Sequence, residues 1–466
     1  MLPFDPNNPR AALSQLPHSQ AVFVLYGEDA HAEPYIGRTP NLRARLDRLL
    51  QPSAKHPRRL QLAGRVRRIA WRLTGSGFES LLLQFELLQD QYGAKSLERM
   101  HLRAPAFARF LGGNPYPRIV VTHRPSQREA DWSYGPFPSR AAAERYAEET
   151  LKLFLLRRCT DDLNPDPSHP GCVYSEMKMC LAPCYKGCTN DRYAEEAAAV
   201  QSFFATRGES RLVQLRSQRE HASANLEFEA AAALHAQVQR VEGVRALASD
   251  LVRPLSRLRA LILQASAQPD EVSVFLFEGG RLRGPAPFST LGMRIQNEQS
   301  GSTSLFAQPM ALEPVPETEN EEQEMEKREQ ETDGQRSAVR KQGKEIDPAP
   351  SEEVLKGLDF GRANRGPERQ GASAPESIPA PARIPRTVLE SRLESLLAAL
   401  SQPQPAPSAT VRQGHLALLK RWYYRPEARR IGEVFFPDAG DHWPVKAVLR
   451  GIGRVAARSM TQEPRP

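Results

Sequence analysis

The sequence predicts an α+β protein of several small units joined by linkers. Three observations lead there. The chain has 466 residues, too long for one ordinary core. Short β-branched and aromatic runs occur in groups, separate from helical stretches, instead of alternating with them regularly. A long polar, proline-rich stretch sets a C-terminal helical piece apart from everything before it.

The first group opens with the run Ala21-Val22-Phe23-Val24-Leu25-Tyr26. After a polar turn, Pro34-Tyr35-Ile36-Gly37 begins a second strand, which predicts a hairpin. From Asn41, apolar Leu42, Leu46, Leu49 and Leu50 fall at helical spacing with Arg43, Arg45 and Arg48 between them, giving an amphipathic basic helix. A strand over 66–73 follows, then a helix over Phe78 to Leu88 apolar enough to be buried, then a strand at Ile119 to Thr122. Together these predict a small α+β unit, placed at 18–112 with a linker and helical region over 113–208.

Ser139 caps a helix expected to run to about Arg158, and Asn190 caps the next, in which Tyr193, Ala197, Val200 and Phe204 share a face before Gly208. A helical pair occupies 209–247. Strand-like runs at 258–265 and 272–284, the latter turning at Gly279-Gly280, predict a small sheet within 255–292. Residues 296–385 bury too little apolar surface to offset ordering entropy and are expected to be disordered. Helices return at 387–400, in Leu416 to Tyr424 and near 444–459, a C-terminal helical segment over 386–466 that is expected to fold against the 258–284 sheet.

Lys and Arg total 63 against 55 Asp and Glu, a net charge of +8 that favours anionic partners, nucleic acid first. No run approaches 18 apolar residues, and the N-terminus lacks the basic start and apolar core of a signal peptide. The expectation is a cytoplasmic protein with no membrane partner. All five cysteines lie between Cys159 and Cys188, which in a reducing compartment points to metal or cluster ligation before disulfides. Four thiolates suit either zinc or an iron-sulfur cluster, although of Cys159, Cys172, Cys180 and Cys184 only the last two show a short zinc-like spacing.

Four signatures in one order, PYIGR with NLRARL, SYGPFPS at 133–139, the cysteines of LLRRC, GCVY and MKMCLAPC, and LEFEAA, resemble the N-terminal half of the UvrC family, the nuclease component of the UvrABC excinuclease. The resemblance implies a GIY-YIG-like nuclease domain, a cysteine-cluster region and a UVR helical hairpin. In that nuclease chemistry a tyrosine activates or orients water, an arginine steadies phosphate charge and a glutamate holds a divalent metal, Mg2+ or Mn2+. Residue by residue, Tyr35 and Arg45 match catalytic positions, and Arg38, Arg43 and Arg45 become candidate DNA contacts. Phe23 stands at the first tyrosine, Gln84 at the metal glutamate and Ala108 at an asparagine, so the site reads as degenerate.

The resemblance further implies a [4Fe-4S] cluster on Cys159, Cys172, Cys180 and Cys184, with zinc as the alternative and Cys188 a spare. Leu226, Phe228 and Glu229, followed by Ala231-Ala232 expected at the helix-helix contact, match the UVR motif and imply docking to a UvrB-like excinuclease protein. His235-Ala236 replaces that motif's usual Arg-Asp. The RNase H-like and tandem helix-hairpin-helix parts of the UvrC family are not visible, and Gly451-Ile452-Gly453 has only the composition of a hairpin-helix turn. Three functional readings follow: a DNA-binding excision-repair protein with a degenerate site, an active metal-dependent single-incision endonuclease, or a non-enzymatic scaffold that docks a UvrB-like protein.

Overall fold

A computed structural model describes residues 1–29, 32–51, 62–160, 162–293, 384–438 and 440–462. Mixed helix and antiparallel sheet make it α+β, the class predicted. The segment 296–385, expected to be disordered, lies outside the described residues except for its last two positions. Among the described residues, three four-stranded sheets organise the chain, and no helix is long and apolar enough to cross a membrane.

The first sheet comprises β1 (Leu2–Pro3), β2 (Ala21–Tyr26), β3 (Tyr35–Thr39) and β4 (Arg68–Leu73) in the order β1-β4-β2-β3, leaving β3 as a free edge. α1 (Pro9–Leu13) and α2 (Leu42–Leu50) cover one face, where Phe23 and Leu25 meet Leu42, Leu46, Leu49 and Leu50. Asn41 starts α2 by accepting the Ala44 N–H at 3.0 Å. On the other face lies α3 (Gly77–Tyr92), begun by the Ser76 hydroxyl accepting the Glu79 N–H at 3.1 Å. Strand alternation turns Ile36 towards this second face. The turn α4 (Ser96–Arg99) follows.

β5 (Ala106–Phe110), β6 (Ile119–Thr122), β7 (Ser133–Phe137) and β8 (Arg253–Pro254) form the second sheet, ordered β6-β5-β7-β8. Ile119 to Thr122, grouped with the first unit from sequence, therefore pairs elsewhere, because β5 offers it four aligned partners. The helices here are α5 (Arg140–Leu151), α6 (Val173–Glu176), α7 (Asn190–Ala205), α8 (Glu209–Ala224) and α9 (Phe228–Ala246). α5 stops seven residues before the expected Arg158. The fully buried Arg157 requires extended chain: its Nε donates to the Tyr116 carbonyl at 2.9 Å and its backbone N–H to the Tyr193 hydroxyl at 3.2 Å. Thr189, not Asn190, caps α7, accepting the Arg192 N–H at 3.2 Å, while the Asn190 side chain accepts from the Tyr116 hydroxyl.

The third sheet, ordered β11-β10-β9-β12, joins β9 (Ala260–Ala265), β10 (Glu271–Glu278) and β11 (Arg281–Ser289) to the distant β12 (Glu433–Phe435). Around it pack α10 (Arg386–Leu400), α11 (Ala409–Tyr423) and α12 (Val445–Gln462). The tail thus folds onto this sheet, as the apolar faces of its helices suggest. Gly451-Ile452-Gly453 lies inside α12 and forms no turn.

α11 also packs on α3. At Gly414 an added Cβ would come within 2.1 Å of the Phe85 ring, so only glycine permits this approach. Beside it, the buried His415 accepts the Leu282 N–H on Nδ1 at 2.9 Å, and burial pulls its pKa down from 6.5 to about 3. A neutral His415 binds no proton in the folded state where the unfolded chain binds one. Its contribution is complete above pH 6.5 and is lost as the pH falls towards 3. Stability should drop by about 1.4 kcal/mol per pH unit across that window. His415→Asn, whose carbonyl replaces Nδ1 as acceptor, should remove this part of the slope in denaturant titrations at stepped pH; an unchanged slope would refute the assignment.

Candidate functional site

The candidate nuclease site is built on the β2–β3 hairpin. Register pairs Phe23 with Gly37 and Leu25 with Tyr35. Phe23 is 1% exposed, its ring centroid lies 6.1 Å from that of Tyr35, and its Cζ atom would be 2.6 Å from a Cβ at Gly37. The glycine therefore accommodates the ring. No hydroxyl is present at Phe23, and the nearest tyrosine on β2, Tyr26, takes the opposite strand face, where the Arg68 guanidinium lies 5.5 Å from its ring centroid.

The sequence-selected cations separate into different settings. Arg45 is half-buried on α2 and makes no side-chain hydrogen bond or ion pair among the described residues. Arg43 is already engaged, donating from Nε to the Leu16 carbonyl at 2.7 Å and from Nη2 to the Ser14 carbonyl. Its guanidinium ties the N-terminal segment down. Arg38 is exposed on β3 and, by alternation, shares the α3 side with Ile36, away from Tyr35 and Phe23.

Gln84 is half-buried on α3. Glu79 is buried and accepts the Gly75 N–H at 3.0 Å, and burial raises both its pKa and that of Glu86, with Arg72 opposing the shift in each case. Glu79 and Glu86 stand about two helical turns apart, on one face. Ala108 is fully buried in β5, paired with Val121 and Tyr134 in the second sheet, and is not part of the first sheet that carries Tyr35.

The cysteines assemble differently. Cys180 senses the charges of Cys172, Cys184 and Cys159, and Cys184 senses those of Cys172 and Cys159. Burial is the main reason both thiols are pushed up, and each neighbouring thiol adds to it. Cys188 stands outside this set: burial raises its thiol too, but the charge that acts on it is that of Arg192 and not of another thiol. The chain segments are held by local bonds. The Ser175 hydroxyl accepts the Cys172 N–H at 2.9 Å, the Cys184 carbonyl accepts the Asp166 N–H at 2.9 Å, and Leu181 donates to the Leu155 carbonyl at 3.0 Å. Arg157 Nη1 reaches the Cys159 sulfur at 3.5 Å. All five cysteines are free thiols, and among the described residues no three His, Cys, Asp or Glu side chains close into a single-ion group.

α8 and α9 form an antiparallel pair whose packed end uses Leu212, Leu215, Val238 and Val241. Its turn is bare. Leu226, with φ of 61°, is 71% exposed and Phe228 is 67% exposed, with Glu229 beside them also exposed. Ala232, expected at the helix-helix contact, is exposed as well, because the two helices bury larger aliphatic side chains further from the turn.

Sequence reasoning missed the cations of α11. Burial lowers the pKa of both Arg38 and Lys420, and neighbouring cations add to it: Arg421 and Arg425 at Arg38, Arg103 at Lys420. The dense basic-aromatic run Lys420 to Arg430 was the available signal.

Comparison with known proteins gives a consistent result. Residues 108–203 match the UvrC/Cho excinuclease middle domain. UvrABC system protein C of Alcanivorax borkumensis is 29% identical over 211 residues, 45% of this chain and 34% of that one. The Pseudomonas protegens protein of that name is 27% identical over 241 residues, 52% and 39% of the two chains, and the Escherichia coli O1:K1 one 30% over 214 residues, 45% and 34%. No solved structure matches. The matched part spans between a third and two-fifths of these relatives' lengths. Over about half its length the chain is similar to UvrABC system protein C, and within that part residues 108–203 match the UvrC/Cho excinuclease middle domain.

Proposed function

We propose that this chain is a DNA-binding protein of nucleotide excision repair whose GIY-YIG-like site no longer cuts. The observation that carries this reading is the sealed Phe23 ring beside Tyr35 and over Gly37, which puts apolar carbon where the related chemistry needs a hydroxyl. Gln84 supports it independently, since a neutral amide is a poor ligand for Mg2+ or Mn2+, and Glu79 is already hydrogen-bonded to the backbone. Tyr35 and Arg45 favour the second reading, an active single-incision nuclease, because neither is consumed by an internal partner. Under the silent reading the protein binds DNA with strong salt dependence and nicks none with Mg2+ or Mn2+ present. Metal-dependent nicking abolished by Tyr35→Phe or Arg45→Ala would establish the active reading instead.

Cys159, Cys172, Cys180 and Cys184 are the residues that would hold a [4Fe-4S] cluster. When bound, the cluster supplies four Fe–S links that brace a loop-rich stretch with little core of its own. A four-iron group spans more space than one ion, which suits four thiols that sense one another without closing into a single-ion group. Anaerobically purified protein should show visible iron-sulfur absorbance that Cys180→Ser abolishes and Cys188→Ser leaves in place. Colourless protein carrying stoichiometric zinc on the same thiols would overturn the cluster.

The bare turn of α8 and α9 is the docking element for a UvrB-like protein. Phe228 offers roughly 1.5–3 kcal/mol on burial by a partner, and its exposure means truncation costs the free protein little. Phe228→Ala should therefore weaken capture of the UvrB-like protein about tenfold or more without lowering the melting temperature. Unchanged capture would remove the docking role, and with it the scaffold reading, in which the chain binds that protein and no DNA.

A further inference from the structure

We propose that Arg38 on β3, Lys420 and Arg421 at the end of α11, Arg425 just beyond it, and Arg103 form one cationic ridge that contacts the phosphate backbone of DNA. This rests on the DNA-binding reading above and extends it to a helix far from the hairpin in sequence. One apolar cluster brings the ridge together: Ile36 of β3, Leu102, and Leu419 and Trp422 of α11 pack in the same core. Arg38 lies two residues from Ile36, on the same strand face, so its side chain emerges beside that core. Lys420, Arg421 and Arg425 flank Trp422, and Arg103 follows Leu102. The apolar contacts fix where the charges stand.

The cations are not there to pair with acids of this chain. Among the described residues none of the five takes part in an ion pair or side-chain hydrogen bond, although other arginines near acids do, as Arg99 with Glu33 and Arg109 with Glu129. Instead they face one another: burial is the main reason the charges of Arg38 and Lys420 are disfavoured, and Arg421 and Arg425 add to it at Arg38 as Arg103 does at Lys420. Arg38, Arg103, Arg421 and Arg425 are all exposed. Like charges held close by a rigid core cost free energy that a polyanion would recover. Guanidinium groups bond phosphate oxygens as two-pronged donors, and several of them on one surface suit a polyanion such as DNA.

The test is the salt dependence of binding to a short random-sequence duplex, for the full chain and for R421Q/R425Q. Each phosphate-contacting cation lost should lower the slope of log K against log salt by about one, hence by about two for the pair, with equal weakening on every sequence. R38Q should lower it by about one. R392Q, an exposed arginine on α10, is the control and should change nothing; circular dichroism melts should confirm that all variants fold. If the wild-type chain binds the duplex and R421Q/R425Q keeps its slope, the ridge is wrong and DNA binding stands. A wild-type chain that binds no duplex at any salt sinks both. Tighter capture of anionic vesicles or polyglutamate through these residues would overturn DNA as the occupant.

Discussion

The interior of this protein is organised around α3, a helix buried from two sides. Its Phe78 ring lies 5.2 Å from Phe275 of the third sheet and 5.4 Å from Trp422 of α11, and Phe85 meets His415 at 5.4 Å. The opposite flank lies on the first sheet. Truncating a core aromatic of this kind removes about 3–5 kcal/mol, so the β2–β3 hairpin and the C-terminal helices cannot separate cheaply. Gly414 marks how close the approach is: the backbone of α11 comes nearly into contact with the Phe85 ring. Everything at the β3 edge inherits its position from this packing, including which cations α11 can bring to Arg38.

The same packing fixes the setting of the candidate site residues. The Phe23 ring fills the space over Gly37, and a tyrosine there would keep the ring and add only a hydroxyl. Gln84 and a glutamate have nearly the same shape and differ in charge, so the seat of α3 suits either. Arg43 is spent on the Leu16 and Ser14 carbonyls, where it secures the N-terminal segment.

The cysteine region obeys a different rule. From Arg158 to Thr189 the described chain has one four-residue helix and a single short 3-10 turn, with Ala182 and Lys186 in left-handed conformations on either side of that turn. Order comes from hydrogen bonds to neighbouring segments and from the fully buried Arg157, which bonds Tyr116 and the Cys159 sulfur. Such a stretch buries little apolar surface, so these hydrogen bonds carry its order in place of a core.

Local patterning by itself determined the α+β class, the hairpin at Phe23 and Tyr35, the helix that follows Asn41, the α8–α9 pair and the strand turn at Gly279-Gly280. Each rests on spacing within a few residues, where steric and capping preferences act directly. The identity of each candidate site residue, with no hydroxyl at Phe23 and no charge at Gln84, is likewise plain in one dimension. Tertiary structure alone decided the rest. Ile119 to Thr122 went to the second sheet because β5 was its available partner, α5 ended at Leu151 because Arg157 had to be buried, and Thr189 took the cap because Asn190 was engaged by Tyr116. The gathering of four cysteines without the fifth, the tie between Arg43 and the N-terminus, and the meeting of Arg38 with Arg421 and Arg425 all join residues far apart in the chain. Such contacts are selected by which surfaces bury together, and no local spacing records that choice.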